Sequence, residues 1–388
     1  MTKFTIPRIT FWRCITVLLA VLVAGIVVRR FTFGLGSISN LHDGMPWGLW
    51  IGFDLLCGVA LAAGGFTITA IVFVFHLEKY KVLVRPTILT AFLGYLIVIG
   101  ALLVDLGRPW NIWHPIVFWN PHSVMFEVGW CVMLYTTVLF MEFLPFVLER
   151  FGIHKPLRLW HRYLTPVLVL AGVLLSTMHQ SSLGTLYVIA PQKLHPFWYS
   201  QALPILFFVS AIPLGLAMVS VESYLSLRAF GKRLHPEILR DVGKATAVML
   251  MFYLTIRIED IIVRGEFGNI FAFDAASWFF LAEFVIGGLV PMFLLFRRDI
   301  RENSLALMGT QTLVVLGMIF NRMNVTVTGF QLGTGASYIP SWMEFVLSIG
   351  MVCIGMILFS FAVRNLPVFE EGPLEDPRPT DPIAEMTR

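Results

Sequence analysis

The chain has 388 residues, 57% of them hydrophobic and only 13% charged, with a formal net charge of +4. An ordinary soluble domain carries about 25% charged residues, and a mean hydropathy of +0.79 over this length exceeds what one water-soluble core can hide. A soluble globule is therefore excluded. The basic residues fall between apolar runs and form no patch, which also argues against nucleic acid and leaves the bilayer as solvent.

A spanning helix needs about 20 mostly apolar residues. In chain order, runs of that kind predict spans at 10–28, 48–76, 86–106, 122–148, 160–180, 197–227, 242–264, 275–297, 304–323 and 341–363. The first ends in Arg29-Arg30 with no small-residue cleavage site behind it, so it reads as an uncleaved anchor. The fold class is all-α: one polytopic transmembrane domain, 1–365, of ten helices. The tail 366–388, rich in Pro, Glu and Asp, is expected to be disordered.

Lys and Arg set the orientation. With the N-terminus inside, 21 of the 28 basic residues fall in inside segments and five (Arg29, Arg30, Arg108, Lys193, Arg264) outside, alternating in step through the loops. Both termini are then cytoplasmic. The outside loops 29–47, 107–121, 181–196 and 324–340 are rich in Gly, Pro, Trp, His and Asn. Their aromatics serve either the interfacial belt or a docking surface for a partner.

Cys14, Cys57, Cys131 and Cys353 fall in different spans with no CxxC, so no iron–sulfur motif is present. A membrane b-type haem needs facing histidines inside the bundle, and no histidine falls at mid-span. His76 and His161, at inner span ends, could face each other, or they are interfacial side chains. Neither haem nor a cluster is expected in this chain.

Ionisable residues inside spans are costly and functional by default. The outer half holds Asp54, Asp105, Glu127, His179, Arg257, Glu259, Asp260, Glu283, Arg322 and Glu344, and the inner half Glu142 and Glu222, with Glu78 at the edge. Two arginines cannot neutralise seven carboxylates. Either the set is structural ion pairs, such as Arg257 with Asp260 at i,i+3, or it forms an outer polar cavity that handles protons. Gly64-Gly65, with Ala60, Ala62 and Ala63, allows close helix packing or a ligand near the backbone. The run Thr177-Met178-His179-Gln180-Ser181-Ser182 puts polar groups at the outer end of its span, where a quinone ring would find donors in His179, Asp54 or an arginine. Quinone reduction takes two protons as well as two electrons, so acids there have a purpose. Glu127 and Glu142 share a helix face about 22 Å apart. They form either a proton route inward with Glu222 or independent pairs.

Several stretches resemble the NrfD/PsrC family of membrane subunits in its ten-helix form: FGLGSISNLHDGMPWGLWIGFDLL at 33–56, GG at 64–65, LVRP at 83–86, DLGRPWN at 105–111, SVMFE at 123–127, TMHQSSLG at 177–184, RIED at 257–260 and YIPSWMEFVLSIG at 338–350. The resemblance implies two four-helix bundles plus extra helices, no haem or cluster, and a quinone held near the outer face beside an iron–sulfur partner. It maps the family's polar site onto Asp54, Asp105, Glu127, His179, Arg257, Glu259 and Arg322. Such subunits serve a NiFe hydrogenase, a multihaem cytochrome c or a molybdopterin subunit through a four-cluster iron–sulfur protein, at times beside other membrane subunits. The expected function is a subunit, not catalytic alone, that exchanges electrons with menaquinone or ubiquinone. Quinone-binding candidates are His179, Asp54, Arg257 and Arg322; proton-relay candidates are Asp105, Glu127, Glu259, Glu283, Glu344, Glu142 and Glu222. The alternatives are a passive anchor and a proton or ion pathway without quinone turnover.

Overall fold

A computed structural model describes residues 11–231 and 236–369, the side chains of 11–14 and 154–156 excepted. Its helices are α1 Phe11–Phe33, α2 Trp50–Val74, α3 Glu78–Asp105, α4 Val124–Arg150, α5 Leu157–Val188, α6 Leu203–Phe230, α7 Pro236–Val263, α8 Ala275–Phe296, α9 Ser304–Thr334 and α10 Trp342–Asn365. Among the described residues, nine of these are long and apolar enough to cross a membrane. The other, α7, is 28 residues long and matches the predicted span 242–264. Arg240, Asp241, Lys244, Arg257, Glu259 and Asp260 dilute its apolar character. No strand occurs among the described residues; only an isolated bridge pairs His42 with Met45. Helices dominate because hydrocarbon offers no partner for free backbone groups.

The helices sort into two four-helix bundles. Helices α2–α5 pack in a ring, and α6–α9 pack in a second. The bundles meet where α6 lies against α2 and α5, and where α9 lies against α2. Helix α1 packs on α10, and α10 on α3, outside both rings. Their outward faces carry Val17, Leu18, Val21, Met356, Ile357 and Phe361, all exposed. In water this would be an aggregation-prone surface; against lipid it is the expected one.

Close approach of helices, across the bundle seam and within the second bundle, depends on glycine. A Cβ on Gly215 of α6 would sit 2.6 Å from the Gly64 nitrogen of α2, and one on Gly287 of α8 would sit 2.6 Å from the Gly317 Cα of α9. The small-residue run around Gly64 thus serves helix packing.

Some helices run past their predicted ends. Helix α9 continues to Thr334 through a π-helical turn at Asn324–Thr328, where 324–340 was expected to be loop. Helix α5 reaches Val188, so His179 lies well inside it rather than at its end. Further π turns occupy Trp50–Cys57 and Ala282–Leu289. Such turns are wider than α turns and concentrate at functional positions. Side-chain caps start several helices: Ser123 accepts from the Phe126 amide, Asn303 from Leu305 and Ala306, and Ser341 forms a capping box with Glu344.

Arg30, expected in an outside loop, is buried at the end of α1. Its Nε donates to the Val104 carbonyl at 2.6 Å and its guanidinium to Leu106 at 2.5 Å, capping the C-terminus of α3. Of the tail expected to be disordered, residues 370–388 lie outside the described residues. Val368 is buried against Leu89 and Ala362, and Arg85 donates to the Pro367 carbonyl at 2.9 Å.

Replacing Gly215 by Val should break the seam, because backbone atoms rather than side-chain ends stand in the way. A loss of about 1–3 kcal/mol is expected, read as a lower apparent Tm of the detergent-solubilised protein. Gly309→Ala, where a Cβ meets nothing within 4 Å, should leave Tm unchanged or slightly raised.

Candidate functional site

Three buried polar groupings occupy the half of the molecule nearest the long loops. The first centres on Glu283, in the π turn of α8. Its carboxylate accepts from Trp198 Nε1 at 3.0 Å, Asn321 Nδ2 at 3.0 Å and Asn324 Nδ2 at 2.7 Å, and it lies 3.6 Å from Arg257 of α7. Arg257 also donates to the Phe197 carbonyl at 2.8 Å, and its Nε has no partner among the described residues. Arg322 of α9 donates to Asn321 Oδ1, to the Phe207 carbonyl and, at 2.7 Å, to Ser210 Oγ. Its guanidinium lies over the Phe207 ring, 3.8 Å from the centroid, a cation–π geometry, and its Nε too is unpartnered. A narrow cleft lined by Tyr253, Arg257, Glu283, Gly287, Gly317 and Asn321 opens beside this grouping.

The second grouping joins α2, α3 and α10. Ser348 Oγ donates to Asp54 Oδ2 at 2.6 Å. Glu344 is fully buried and accepts from the Asn40 and Ser341 amides, at 2.8 and 3.1 Å, and from the Tyr338 hydroxyl. Asp105, half-buried at the end of α3, interacts electrostatically with Arg30 and with Glu344. Burial, and then the Glu344 carboxylate, push the Tyr338 phenol above its ordinary value, so it stays protonated and donates.

The third lies inside the first bundle. His179 is fully buried, with Nδ1 2.7 Å from the Tyr95 hydroxyl and Nε2 without a partner among the described residues. The Tyr95 ring packs edge-to-face on Tyr135, centroids 4.7 Å apart. Beside His179, Gln180 donates to the Val59 carbonyl at 3.2 Å and leaves its own Oε1 unpaired.

Of the residues expected at the site, Arg257, Glu283 and Arg322 come together through Asn321. Asp54, Asp105 and Glu344 neighbour one another, and His179 stands with Tyr95. Among the described residues no hydrogen bond or ion pair joins the three groupings. Glu127 is half-buried with no such partner among the described residues, and Glu259 is exposed on α7. Glu142 and Glu222 are half-buried in the other half, beside Tyr135 and Thr90. Asp260 does not pair with Arg257. It accepts from Arg264, at i+4, at 2.9 Å and from Ser200 Oγ at 2.5 Å; Arg257 turns inward to Glu283 instead.

His76 and His161 are both exposed. In the 189–202 loop, burial pushes the His195 imidazole below its ordinary value, against Asp274 and Glu266, which raise it. A second cleft, lined by Tyr224, Arg240, Arg301, Glu302 and Ser304, opens at the short-loop end, away from the three groupings.

Sequence reasoning missed Asn321, Asn324, Trp198, Tyr95, Tyr135 and Ser348. The asparagines had a signal: they flank Arg322 as NRMN inside an apolar span. The tyrosines and Ser348 had none, since such residues are ordinary in spans.

Residues 37–333 match the family described as polysulphide reductase, NrfD. The chain is 41% identical over 366 residues to a protein of Nitratidesulfovibrio vulgaris Hildenborough, covering 91% of this chain and 93% of that one. It is 34% identical over 349 residues to the probable Ni/Fe-hydrogenase 2 b-type cytochrome subunit of Escherichia coli K12, covering 88% of each. It is 28% identical over 372 residues to the menaquinone reductase integral membrane subunit of the same N. vulgaris strain, again covering 88% of each.

The Glu283–Arg257 contact is a buried pair of opposite charges. Glu283→Ala should lower stability by about 3–5 kcal/mol, because it leaves an uncompensated charge. The double variant Glu283→Ala/Arg257→Ala should lose less than the sum of the single losses. Thermal unfolding of the four proteins checks this; strict additivity would show that the two side chains do not interact.

Proposed function

The chain belongs to the polysulphide reductase NrfD family, and from that premise we propose that it is the quinone-facing membrane subunit of a periplasm-facing redox complex. Its relatives' names point the same way: one is a hydrogenase subunit and one a menaquinone reductase subunit. The short loops, which carry most of the basic residues, face the cytoplasm. The long-loop end faces the periplasm. There the exposed side chains of Trp110, Trp113, Ile116, Phe118 and Trp119 offer an aromatic, apolar docking face to an iron–sulfur partner. Through that partner the electrons come from a NiFe hydrogenase, a multihaem cytochrome c or a molybdopterin subunit.

The observation that carries this reading is His179. A wholly buried imidazole with one nitrogen fixed by Tyr95 and the other unpaired is costly unless something else pairs with it. With the Tyr95 hydroxyl donating to Nδ1, the neutral ring carries its proton on Nε2, poised to donate to a quinone carbonyl oxygen. Quinone takes two electrons from the partner and two protons to become quinol. Menaquinone or ubiquinone is the substrate here. Asp54, held by Ser348, is the second ring-positioning group. Arg322 and Arg257, each with an unpaired buried Nε, supply positive charge across the seam. Asp105, Glu127, Glu259 and Glu344 relay protons on the periplasmic side.

A second reading, a passive anchor, has one observation in its favour. Glu283 is so fully bonded by protein groups that it resembles a structural ion pair. The name of the E. coli relative also raises a b-type haem, and against it stands the exposure of His76 and His161.

The test is to purify the complex gently, record a subunit-resolved visible spectrum and extract quinone. Bound quinone is expected, with quinone-linked turnover falling on the order of 100-fold in His179→Ala and in Asp54→Asn. Full turnover in either variant would remove that residue from the site. No bound quinone, and no protection by quinone analogues, would favour the anchor.

A further inference from the structure

Glu142, a proton-relay candidate by sequence, is left without a route by the quinone reading. Glu142 of α4 stands two turns from Tyr135 on the same helix, in the half of the bundle away from the long loops. Between them α5 presents Gly172. A Cβ built there would lie 3.8 Å from the Tyr135 ring, 3.9 Å from the Glu142 carboxylate and 3.6 Å from Val138. The carboxylate and the phenol ring therefore border one small gap, open because residue 172 has no side chain. One turn further along α5, Ser176 is buried and interacts with Tyr135. Tyr135 packs on Tyr95, and the Tyr95 hydroxyl is bonded to His179 Nδ1. Gly172, Ser176 and His179 follow at i, i+4 and i+7, one face of α5 turned toward α4 and α3.

We propose that Glu142, Tyr135 and Tyr95 form a proton relay through the first bundle that ends on His179. It rests on the reading of His179 as the group facing quinone. In the relay His179 gives its Nε2 proton to the ligand oxygen and takes one at Nδ1 from Tyr95. Tyr95 is refilled through Tyr135 and Ser176, and Tyr135 from Glu142 across the gap at Gly172. One proton leaves Glu142 and one reaches the ligand; no electron moves along the relay. Quinol oxidation runs the same steps backward from the Nδ1–H tautomer that the forward transfer leaves. Protons thereby reach a site in the long-loop half from the short-loop half, where Glu142 sits.

The geometry gives Tyr135, Glu142 and the gap at Gly172 separate tests. Tyr135→Phe keeps the ring and removes the hydroxyl, and Glu142→Gln keeps the shape and removes the acid. Gly172→Ala places a methyl at ordinary contact distance, so it fills the gap without forcing the helices apart. The intact complex is assayed with 2,3-dimethyl-1,4-naphthoquinone as acceptor and reduced methyl viologen as electron source, alongside direct binding of the same naphthoquinone.

The expected result is binding within twofold of wild type in Glu142→Gln, Tyr135→Phe and Gly172→Ala. Turnover should fall at least tenfold, with a larger rate ratio between H2O and D2O. Because Gly172→Ala leaves the packing contacts intact, a fall there is not a folding defect; unchanged Tm confirms this. Wild-type turnover in Glu142→Gln and in Gly172→Ala, with naphthoquinone still bound, overturns the relay and leaves the quinone site standing. Wild-type protein that binds no naphthoquinone overturns both.

Discussion

A polar side chain inside hydrocarbon has no water to fall back on, and the arrangement of this protein follows from where its partners can be found. Glu283 is answered by Trp198, Asn321, Asn324 and Arg257, which come from a loop, α9 and α7. Those donors bring α7, α8 and α9 to one point, and Arg322 then extends the network to α6 through Ser210. Asp54 and Glu344 do the same for α2, α10 and the Tyr338 loop. Each network fixes helices at a depth where apolar packing alone is non-directional, and each sits beside a π-helical turn or a capping box that aims its acid inward. Apolar contact supplies the bulk of the packing; these few bonds set which faces meet.

How much of this is legible in the sequence differs by feature. Helix number and positions follow from apolar length, since one physical rule governs every span. Helix α7, diluted by its charges, coincides with the predicted run 242–264 as a helix but falls short of the apolar length the other nine show. The helix ends were less legible. Asn324–Thr328 reads as loop by composition, yet it continues α9 because its polar side chains find partners inside the protein. The acids and arginines of the candidate site stood out because charge in a span is rare. Their pairing did not: Arg257 and Asp260 are neighbours by periodicity, but Arg264 is nearer to Asp260 and Glu283 is available to Arg257. Spacing along one helix carries no information about what the facing helix offers. The aromatic and hydroxyl residues were invisible for the opposite reason. Tyr95, Tyr135 and Ser348 are ordinary in membrane spans and acquire meaning only from the neighbours they touch.

The two bundles carry different chemistry. The first pairs a buried histidine with tyrosines, groups that exchange protons while neutral, and sets the carboxylates of Asp54, Glu127 and Glu142 apart from them on α2 and α4. The second holds a carboxylate and two guanidiniums, groups that hold charge. Glycine lets their backbones touch at Gly64 and Gly215, so α2 belongs to the lining of both, with Asp54 near one end and Cys57 reaching toward the Ile319 carbonyl of α9. A ligand bound near this seam would be bordered by a proton-exchanging side and a charge-holding side.

Helices α1 and α10 come from opposite ends of the chain yet lie together, on one flank of α3. The eight helices between them, α2–α9, close both bundles without either, and the family match at residues 37–333 covers those eight and little more. The outer wall of α1 and α10 is nevertheless tied to the interior: Ser348 of α10 holds Asp54 and Arg30 of α1 caps α3, so a change in that wall reaches the buried polar groups of the first bundle and leaves the Glu283 network of the second untouched.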